Sequence, residues 1–428
     1  MKPVSDVTFC VIDSGLFLPL ALRLAEEAKR VIYWSPDQRS FPSVKQAVIG
    51  DGFENVERVR DFWPMHDEIS CYVFPDIGQS ALQKHLREDG HPVWGSGDGD
   101  VLELNREKFM QVLGLVGLEV PQFEAITGWT ELCSYLRDKQ DVYVKISRYR
   151  GDMETHHFRS WEMDEGWVYS LAITFGSVKE LVRFLVFEAI DTDLEIGGDS
   201  YNIDGQWPDL MLNGIEGKDK SYFSAVTKRE EMPEQIKQVM EAFGPILAGY
   251  NYRNQWSMEV RVKDDKAFFI DATCRGGQPS SSSQQLLWKN FAEIIWAGAN
   301  GEMVQPEPAA QFSIETMITT KSEPDVWDQL QLDPGLFPWA RLSYCCKVGE
   351  TYAFPPDEMH RGELGWLVAI GDTPTEALER IKALADLLPD GTNADVESLA
   401  SVIQEIEEAE KQEIPFTDQA VPEPASVL

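Results

Sequence analysis

The stretch MEVRVKDDKAFFIDATCRGG, residues 258–277, predicts two apolar strands that are joined by a tight polar turn. Each strand carries one acid within its apolar run, Glu259 in the first and Asp271 in the second. The two acids face each other if the turn is the three residues 264–266, whereas a turn of two residues leaves them one step out of register. Facing carboxylates repel, and each costs on the order of several kcal/mol if it is buried without a partner.

A divalent cation between the two carboxylates would explain why they share a hairpin. Mg²⁺ prefers oxygen ligands, and one or two carboxylates commonly hold it together with the phosphates of a substrate. The alternative is a solvated strand edge, at which both acids simply face water. The hairpin by itself leaves both interpretations open.

Two lysines and two glutamates elsewhere in the chain extend the pattern. Lys145 ends the apolar strand VYVKI, so its ammonium group must reach solvent or meet an anion. Lys108 lies in a predicted helix over residues 101–118. Glu188 and Glu195 bracket a strand-to-turn corner in FEAIDTDLE. Each of these residues taken alone is typical of a protein surface.

The composition narrows the classes of partner. The chain has 428 residues and a formal net charge of −34, so direct binding to nucleic acid or to an anionic membrane is not expected. No apolar stretch approaches the ~20 residues that a membrane span needs. The six cysteines show neither a C-x-x-C pair nor the spacing of a zinc site, which predicts reduced, buried thiols. We therefore expect a soluble cytoplasmic protein that is not exported.

The order of the patterns predicts three domains and a tail. Strand and helix patterns alternate over residues 1–98, which is typical of an open parallel α/β domain. Residues 99–310 form a larger central domain, which begins in the turn-rich stretch GSGDGD, and residues 311–403 have an α+β pattern. Residues 404–428 are acidic, contain prolines and few aromatic residues, and are predicted to be a disordered tail.

In their order along the chain, the two lysines, the FEAIDTDLE segment and the acidic hairpin resemble the ATP-grasp superfamily, in particular its phosphoribosylamine–glycine ligase branch. The resemblance covers most of the chain. It implies an ATP-grasp fold of mixed α/β and α+β class. In this fold an N-terminal open parallel α/β domain precedes a central ATP-binding body and a small C-terminal α+β domain. A mobile lid over about residues 124–187 belongs to the central body.

The same resemblance assigns residues to ATP. The segment 104–123 is similar to the family's entry helix, whose lysine touches an ATP phosphate, here Lys108. The segment 141–152 is similar to the lid strand that carries a second phosphate-binding lysine, here Lys145. The adenine hinge and the ribose-binding position of the family correspond to four residues: Glu188, Ala189, Ile190 and Glu195.

The hairpin matches the family's metal-binding element. The match implies Glu259 and Asp271 as ligands of Mg²⁺ or Mn²⁺, and Arg275 as the catalytic residue that faces the transferring phosphate. The family usually ends this strand with Glu-x-Asn-x-Arg, whereas this chain has Asp271, Thr273 and Arg275. Thr273 therefore offers a hydroxyl where an amide usually helps to hold the metal.

Two loops near these residues carry further candidates. The phosphate loop of the family is usually rich in glycine, but SRYRGD contains only Gly151, so we expect Arg148 and Arg150 to supply positive charge there. The serine run that begins at Ser280 is either part of the site for the acyl acceptor or a polar loop with a helix cap. Both interpretations stay open.

The resemblance implies an ATP-dependent ligase that joins a small carboxylate, such as an amino acid, to an amine through an acyl phosphate, with release of ADP and phosphate. The alternatives are an ATP-binding protein with weakened catalysis, a phosphotransferase on the same scaffold, and a scaffold or assembly protein. The turn DSGLFLP replaces the Gly-Arg-Glu-His stretch of the glycine ligases, so a phosphoribosylamine site is not expected. The resemblance also allows a homodimer, and it leaves the carboxylate and the amine unnamed.

Overall fold

The structure is a computed structural model that describes most of the chain. The described residues are 1–43, 46–147, 155–190, 192, 194–217, 220–322, 325–356, 362–414 and 416. They contain four β-sheets, with five, four, nine and three strands.

The N-terminal sheet has five parallel strands: β1 (Thr8–Ile12), β2 (Arg30–Trp34), β3 (Val56–Arg58), β4 (Cys71–Val73) and β5 (Val93–Trp94). Their spatial order is β3-β2-β1-β4-β5, and two helices lie between them in sequence: α1 (Leu18–Ala25) and α2 (Ser80–Glu88). Every residue of β1 is buried, because Phe9 and Val11 pack in one apolar cluster while Cys10 packs in another on the opposite face. The predicted open parallel α/β arrangement is confirmed.

Two short helices lead from this sheet into the centre of the chain: α3 (Val101–Leu104) and α4 (Arg106–Val116). The sequence predicts one helix over residues 101–118, but the chain breaks at Asn105, whose backbone angles of φ −135° and ψ 85° are not helical. The Asn105 side chain accepts a hydrogen bond from the backbone N–H of Lys108 at 3.0 Å and so caps α4. The cap places Arg106 and Lys108 in the first turn of α4.

The second sheet, which we call the lid sheet, has four antiparallel strands: β6 (Phe123–Thr127), β7 (Val142–Ile146), β8 (Thr155–Phe158) and β9 (Arg183–Glu188). Their order is β6-β9-β7-β8, and two helices pack against them: α5 (Trp129–Leu136) and α6 (Trp161–Phe175). Val142, Val144 and Ile146 of β7 lie in the apolar core of the lid sheet. Lys145 therefore points to the other face of the sheet.

The third sheet has nine strands and carries the acidic hairpin. Its strands are β10 (Glu195–Ile203), β11 (Leu210–Gly217), β12 (Ser221–Lys228), β13 (Arg253–Lys263), β14 (Lys266–Thr273), β15 (Phe312–Thr320), β17 (Ala340–Leu342), β20 (Glu363–Gly371) and β21 (Thr392–Ala394). All its pairs are antiparallel, in the order β14-β13-β10-β11-β12-β15-β20-β17, with β21 beside β15. Three helices accompany the sheet: α7 (Glu234–Gly249), α8 (Ser281–Leu287) and α9 (Phe291–Ala299).

One face of the hairpin is apolar. Met258 and Phe269 pack there in one cluster with Ile236 and Phe243 of α7. Because side chains alternate along a strand, the acids of the hairpin lie on the opposite face of the sheet, away from α7.

The remaining strands form a small sheet: β16 (Asp328–Leu330), β18 (Cys346–Val348) and β19 (Thr351–Phe354). Helix α10 (Pro374–Ala385) packs on β20 and β15. Short 3₁₀ turns cover Val4–Asp6, Trp63–Glu68, Gly97–Asp100, Gly176–Leu181, Arg229–Glu231 and Pro334–Leu336.

The six cysteines are buried free thiols, as predicted. No helix within the described ranges is long and apolar enough to cross a membrane.

The last described helix is α11 (Leu399–Lys411). Its buried face consists of five residues: Leu399, Val402, Ile403, Ile406 and Ala409. These positions form one stripe of an amphipathic helix, which packs on β11 and β12. The prediction of a disordered tail is therefore wrong for residues 404–411. Residues 417–428 lie outside the described residues, and the domain boundaries at 98, 310 and 403 stay predictions.

Candidate functional site

The acidic hairpin holds Glu259 and Asp271 in direct cross-strand register. Its turn is the two-residue loop 264–265, in which both residues have positive φ, as a tight hairpin turn requires. The sequence predicts that such a turn puts the acids out of register. The structure corrects this, because β14 has one extra residue, Ile270, between the partners of Glu259 and Val260. This β-bulge restores the pair of carboxylates.

Two cations converge on Asp271. The Lys145 ammonium donates a hydrogen bond to Oδ2 at 2.7 Å, and Nη1 of Arg106 contacts Oδ1. The side chains are largely buried, with exposed fractions of 23% for Asp271, 12% for Lys145 and 6% for Arg106. Lys145 was predicted at this site, whereas Arg106 was missed, because an arginine at the start of a helix is common on protein surfaces. Each carboxylate oxygen has its own cation.

Asp271 and its two cationic partners, Lys145 and Arg106, are opposite charges that are largely buried together. Burial would raise the pKa of Asp271, but the charges of Arg106 and Lys145 outweigh it and hold the pKa well below its usual value. Burial lowers the pKa of Lys145, and the charge of Arg106 lowers it further, whereas Asp271 and Glu259 act in the opposite direction. Glu259 is therefore close enough to interact with the same lysine.

The hairpin fits a divalent cation that also binds substrate phosphates. Glu259 and Asp271 offer oxygen ligands from neighbouring strands, which is how Mg²⁺ is commonly held. Among the described residues, no three His, Cys, Asp or Glu side chains are grouped so that they could hold a metal ion by themselves. Thr273 lies two residues beyond Asp271 and opposite Ser257, so its hydroxyl is on the same face. A metal ion here would take its further ligands from a bound substrate and water.

Arg275 is held by acids from two other elements. Its Nε donates to Oε1 of Glu103 at 2.9 Å, and a carboxylate oxygen of Asp76, in the loop after β4, lies 3.8 Å from the same nitrogen. Glu103 also accepts the backbone N–H of Cys274 at 2.8 Å. The guanidinium group is thus paired with protein carboxylates, and its contact with a transferring phosphate stays a prediction.

Three further cations were predicted to bind phosphate, and Lys108 is the one among them that the structure describes. Lys108 is half-buried in the first turn of α4, and it forms no ion pair with another described residue. Arg148 and Arg150 lie outside the described residues. The roles of these three residues in binding phosphate stay predictions.

The predicted adenine and ribose residues lie where the lid sheet joins the nine-stranded sheet. Glu188 ends β9 and is exposed, and its Oε1 accepts a hydrogen bond from the side chain of Gln122 at 3.1 Å. Residues 189–190 follow and are half-buried. Glu195 begins β10, and its carboxylate receives a hydrogen bond from Nε of Arg261 at 3.0 Å. Their contacts with a nucleotide stay a prediction.

Polar residues form two rows on the face that carries the hairpin acids. Residues opposite each other on antiparallel strands lie on the same face of a sheet. The rows across β10, β13 and β14 are Gly197, Glu259 and Asp271 in one, and Asp199, Ser257 and Thr273 in the next. The second row continues the acidic surface away from the turn of the hairpin.

A buried polar group beside these rows was missed from the sequence. The Tyr222 hydroxyl donates to Oδ2 of Asp199 at 2.5 Å, and Glu315 lies opposite Tyr222 on β15. Oε1 of Glu315 accepts the backbone N–H of Ser283 at 2.5 Å. Asp199 and Glu315 are 2% and 0% exposed. Asp199, Tyr222 and Glu315 lie on three separate strands far apart in sequence, so no local pattern brings them together.

Ser280 lies directly before α8 and is buried. Its side chain does not form a cap hydrogen bond with this helix, and its hydroxyl has no hydrogen-bond partner among the described residues. The helix-cap interpretation of Ser280 is therefore not supported. Its role at the acyl acceptor stays a prediction.

Gly214 makes room for Tyr222, since a Cβ at this position would lie 2.1 Å from the tyrosine hydroxyl oxygen. We expect Gly214→Ala to displace the ring, to break the hydrogen bond to Asp199 and to lower the free energy of unfolding by about 1 to 3 kcal/mol. Urea unfolding measures this change. Gly166→Ala in α6 is the control, because no atom lies within 4 Å of the added Cβ. Equal effects of the two substitutions would contradict this packing.

Burial shifts the titration of both missed acids. It raises the pKa of Glu315 to about 7; the hydrogen bond from Ser283 opposes this shift, and the charge of Asp199 adds to it. Burial also raises the pKa of Asp199, against the effect of the neighbouring hydroxyls. Neither acid forms an ion pair with another residue within the described part of the chain.

The raised pKa of Glu315 predicts a pH dependence of stability. Because the folded pKa is about 7 and the ordinary value is 4.5, the folded protein binds more protons than the unfolded chain between these values. The contribution of Glu315 to stability is therefore fully present below the lower value and is lost as the pH rises through the upper one. Glu315→Gln, which stays neutral, should become more stable relative to the wild type by on the order of 3 kcal/mol over this window.

Urea unfolding of the wild type and of Glu315→Gln at both ends of the window measures this difference. Glu162→Gln is the control, because Glu162 is exposed on α6 and should show no such change. A constant difference between the wild type and Glu315→Gln across the window would contradict the assigned environment.

The chain was compared with known proteins. No protein-family model matches it, and no curated protein matches it in sequence. Solved structures do match, among them phosphoribosylamine–glycine ligase from Thermotoga maritima, with a TM-score of 0.68 and 14% identity over 91% of this chain and 99% of that one. L-amino acid ligase from Bacillus licheniformis has a TM-score of 0.61 and 15% identity over 91% of this chain and 99% of that one.

A third similar structure is the biotin carboxylase domain of 2-oxoglutarate carboxylase from Hydrogenobacter thermophilus, solved as a dimer with MgADP, ADP and bicarbonate. It has a TM-score of 0.63 and 12% identity, over 97% of each chain. At this level of identity the likeness shows the fold alone. The predicted ATP-grasp fold is confirmed.

Proposed function

Because the chain has the fold of ATP-grasp enzymes, we propose that it is an ATP-dependent carboxylate–amine ligase. It joins an amino acid or a similar small carboxylate to an amine through an acyl phosphate and releases ADP and phosphate. Its partners are small molecules rather than nucleic acids or membranes. A cytoplasmic location belongs to the proposal, and a homodimer is compatible with it.

The observation that carries the proposal is the convergence of Lys145 and Arg106 on Asp271, opposite Glu259. Lys145 comes from the lid sheet, Arg106 from α4 and Asp271 from the nine-stranded sheet, so three separate elements meet at one charged point. Charge-assisted hydrogen bonds from lysine and arginine suit a polyphosphate. If the phosphates of a bound nucleotide paired with these two cations, Asp271 and Glu259 could together hold a divalent metal, which would neutralise charge on the phosphates.

In the proposed complex, Lys108 and Lys145 bind the phosphates of ATP, with Arg106 beside them. Mg²⁺ or Mn²⁺ held by Glu259 and Asp271 would neutralise charge on the phosphates. The adenine and ribose lie beside Glu188, Ala189, Ile190 and Glu195. Further support for the phosphates and the metal comes from Arg148, Arg150 and Thr273.

Arg275 is the residue that we assign to the transferring phosphate. Its present partners, Glu103 and Asp76, hold the guanidinium group ready near the hairpin strand from which it extends. A guanidinium group with a planar set of donors can stabilise the charge that spreads over the oxygens of a phosphoryl group during transfer.

The proposed reaction has two displacements. A carboxylate oxygen of the first substrate attacks the γ-phosphorus, the bond from this phosphorus to the bridging oxygen breaks, and ADP leaves. The acceptor first loses its ammonium proton to water, and the neutral amine nitrogen then attacks the acyl carbon. The bond to the phosphate oxygen breaks, and the released phosphate takes the second proton of the amine. No protein nucleophile is needed, so positioning, charge neutralisation and exclusion of water are the tasks of the protein.

Release of ADP and phosphate over a panel of carboxylates and amines, with and without Mg²⁺, tests the proposal. We expect Mg²⁺-dependent release that requires both a carboxylate and an amine, with amide as the product. A phosphorylated carboxylate or amine without amide would favour the phosphotransferase. Failure to bind ATP at all would contradict the proposal.

A second candidate is an ATP-binding protein with weakened catalysis. It is favoured by the occupation of both Asp271 oxygens by cations and by the absence of a group of three metal-binding side chains among the described residues. Tight binding of ATP without turnover on any member of the panel is the result that would favour it over the ligase.

A further inference from the structure

A small cavity opens on the acidic face of the nine-stranded sheet, two residues along β10 from the row of the hairpin acids. Its volume is about 30 Å³, and Asp199, Tyr222 and Ser257 line it together with Gly214. Such a volume holds one or two groups of the size of a water molecule. A single small polar group would fill it.

Asp199 lines this cavity with an unsatisfied carboxylate oxygen. The side chain is 2% exposed, and its Oδ2 accepts the Tyr222 hydroxyl, but Oδ1 has no hydrogen-bond partner among the described residues. The described part of the chain also gives Asp199 no ion pair. The neighbouring hydroxyls compensate this buried carboxylate only in part, and a buried oxygen without a partner is costly, so it points to a ligand that supplies the missing donor.

The charge of the surroundings selects a cation. Three further acids line the same cavity: Glu195, Glu216 and Glu259. Arg261 pairs with one of these acids, Glu195, and Lys145 pairs with Asp271 of the hairpin. An anion would be repelled by this lining, whereas a cation would be attracted to the carboxylate of Asp199, which has no ion-pair partner among the described residues.

The chemistry of the lining favours an ammonium group over a metal ion. Among the described residues no three His, Cys, Asp or Glu side chains are placed to hold a metal. The atoms around Asp199 include the hydroxyls of Tyr222 and Ser257, and the Tyr222 oxygen can accept a hydrogen bond while its proton goes to Asp199. An ammonium group has three or four N–H donors for such acceptors.

The position of the cavity agrees with the second half of the proposed reaction. Asp199 lies opposite Ser257, which lies opposite Thr273, two residues from the row of Glu259 and Asp271. Two residues of a strand span about 7 Å. An amine held at Asp199 would be separated, by about the length of one small substrate, from the phosphate that the hairpin acids and their metal would bind.

We infer that the cavity at Asp199, which we call the Asp199 subsite, binds the protonated primary amine of the acyl-acceptor substrate. The role of this amine as the acyl acceptor rests on the proposed function, whereas the binding of an ammonium group rests on the cavity alone. Tyr222 and the space left by Gly214 shape the subsite. A primary ammonium group fits, whereas a quaternary one is too large for the cavity and has no N–H to donate.

Thermal unfolding in the presence of methylammonium chloride tests the inference without any turnover. The wild type should show a saturable rise in Tm over sodium chloride at the same ionic strength, and tetramethylammonium chloride should give none. Asp199→Asn should abolish the rise. This variant should fold, because an amide of the same shape replaces a buried carboxylate that has no ion-pair partner among the described residues. Asp209→Asn, at an exposed acid, is the matched control and should keep the rise.

If Asp199→Asn does not fold, Tyr222→Phe provides the second variant. In Tyr222→Phe, at least about half of the rise in Tm with methylammonium chloride should be lost. An equal rise in the wild type and in a folded Asp199→Asn, or an equal response to tetramethylammonium, would overturn the inference. A rise with magnesium chloride that Asp199→Asn abolishes, without one for methylammonium, would overturn it in favour of a metal site.

Turnover separates this inference from the proposed function. If the panel shows ligation, Asp199→Asn should raise the KM for methylamine as acceptor at least about 10-fold while the KM for ATP changes little. Ligation with an unchanged KM for methylamine would overturn the subsite and leave the ligase intact. An Asp199-dependent rise in Tm without any ligation would support the subsite and contradict only the ligase.

Discussion

Replacement of Asp271 with asparagine is expected to lower ATP-dependent turnover at least about 100-fold. The carboxylate now gives one oxygen to Lys145 and one to Arg106, and in the proposed complex it also binds the metal. An amide has one acceptor oxygen and no charge, so it cannot serve these partners. The loss of charge between two largely buried cations should also lower the free energy of unfolding by on the order of 2 kcal/mol.

Steady-state ADP release measures the catalytic effect, and urea unfolding measures the structural one. Asp265→Asn is the matched control, since Asp265 lies in the turn of the same hairpin with positive φ, which asparagine tolerates. This control should keep both turnover and stability. Near-normal turnover of Asp271→Asn would remove Asp271 from the proposed metal site.

Replacement of Arg275 with alanine is expected to lower turnover by a similar factor, at least about 100-fold. The side chain is now paired with Glu103 and Asp76, so the substitution also leaves these two acids without their shared cation. Arg275→Lys should restore the charge but little of the turnover, because a single ammonium group cannot replace the planar set of donors. Arg229→Ala, at an exposed arginine, is the control.

The two possible roles of Arg275 give different results. If it only holds Glu103 in place, Arg275→Ala should lower the Tm and leave the turnover of the folded fraction unchanged, and Arg275→Lys should restore the Tm. If it faces the transferring phosphate, turnover falls far more than the loss of stability explains. The first pattern would contradict our assignment of Arg275.

The elements that could be predicted from the sequence are those encoded in short patterns. The hairpin is visible because strand alternation and a polar turn lie within 20 residues. The alternation in VYVKI correctly predicts that Lys145 leaves the apolar core. The exact pairing of the acids could not be predicted, since it depends on a bulge at Ile270 that inserts an apolar residue into an apolar strand without any local signal.

The parts that could not be predicted depend on distant contacts. Arg106 reaches Asp271 across 165 positions, and Tyr222 reaches Asp199 only because a third strand offers Gly214 between them. The last helix was missed for another reason. Its acidic composition suggests disorder, while the apolar stripe that includes Val402 and Ile406 gives it a surface to bury.

The buried acids of the nine-stranded sheet differ in how their charge is compensated. Asp271 of the hairpin is compensated by Lys145 and Arg106, whereas Asp199 and Glu315 each keep one buried oxygen without a hydrogen-bond partner among the described residues. Natural proteins commonly retain such costly groups where function requires them. The same residues should therefore be those at which substitution raises stability and lowers activity.

The most direct test of the central claim is the fate of oxygen during turnover. The carboxylate that supports ADP release in the panel is labelled with ¹⁸O on both oxygens, and the released phosphate is analysed by mass spectrometry. An acyl phosphate requires one labelled oxygen in phosphate for each amide formed, because the attacking oxygen leaves with the phosphoryl group. Phosphate without label, or label that passes into AMP, would contradict the proposed mechanism.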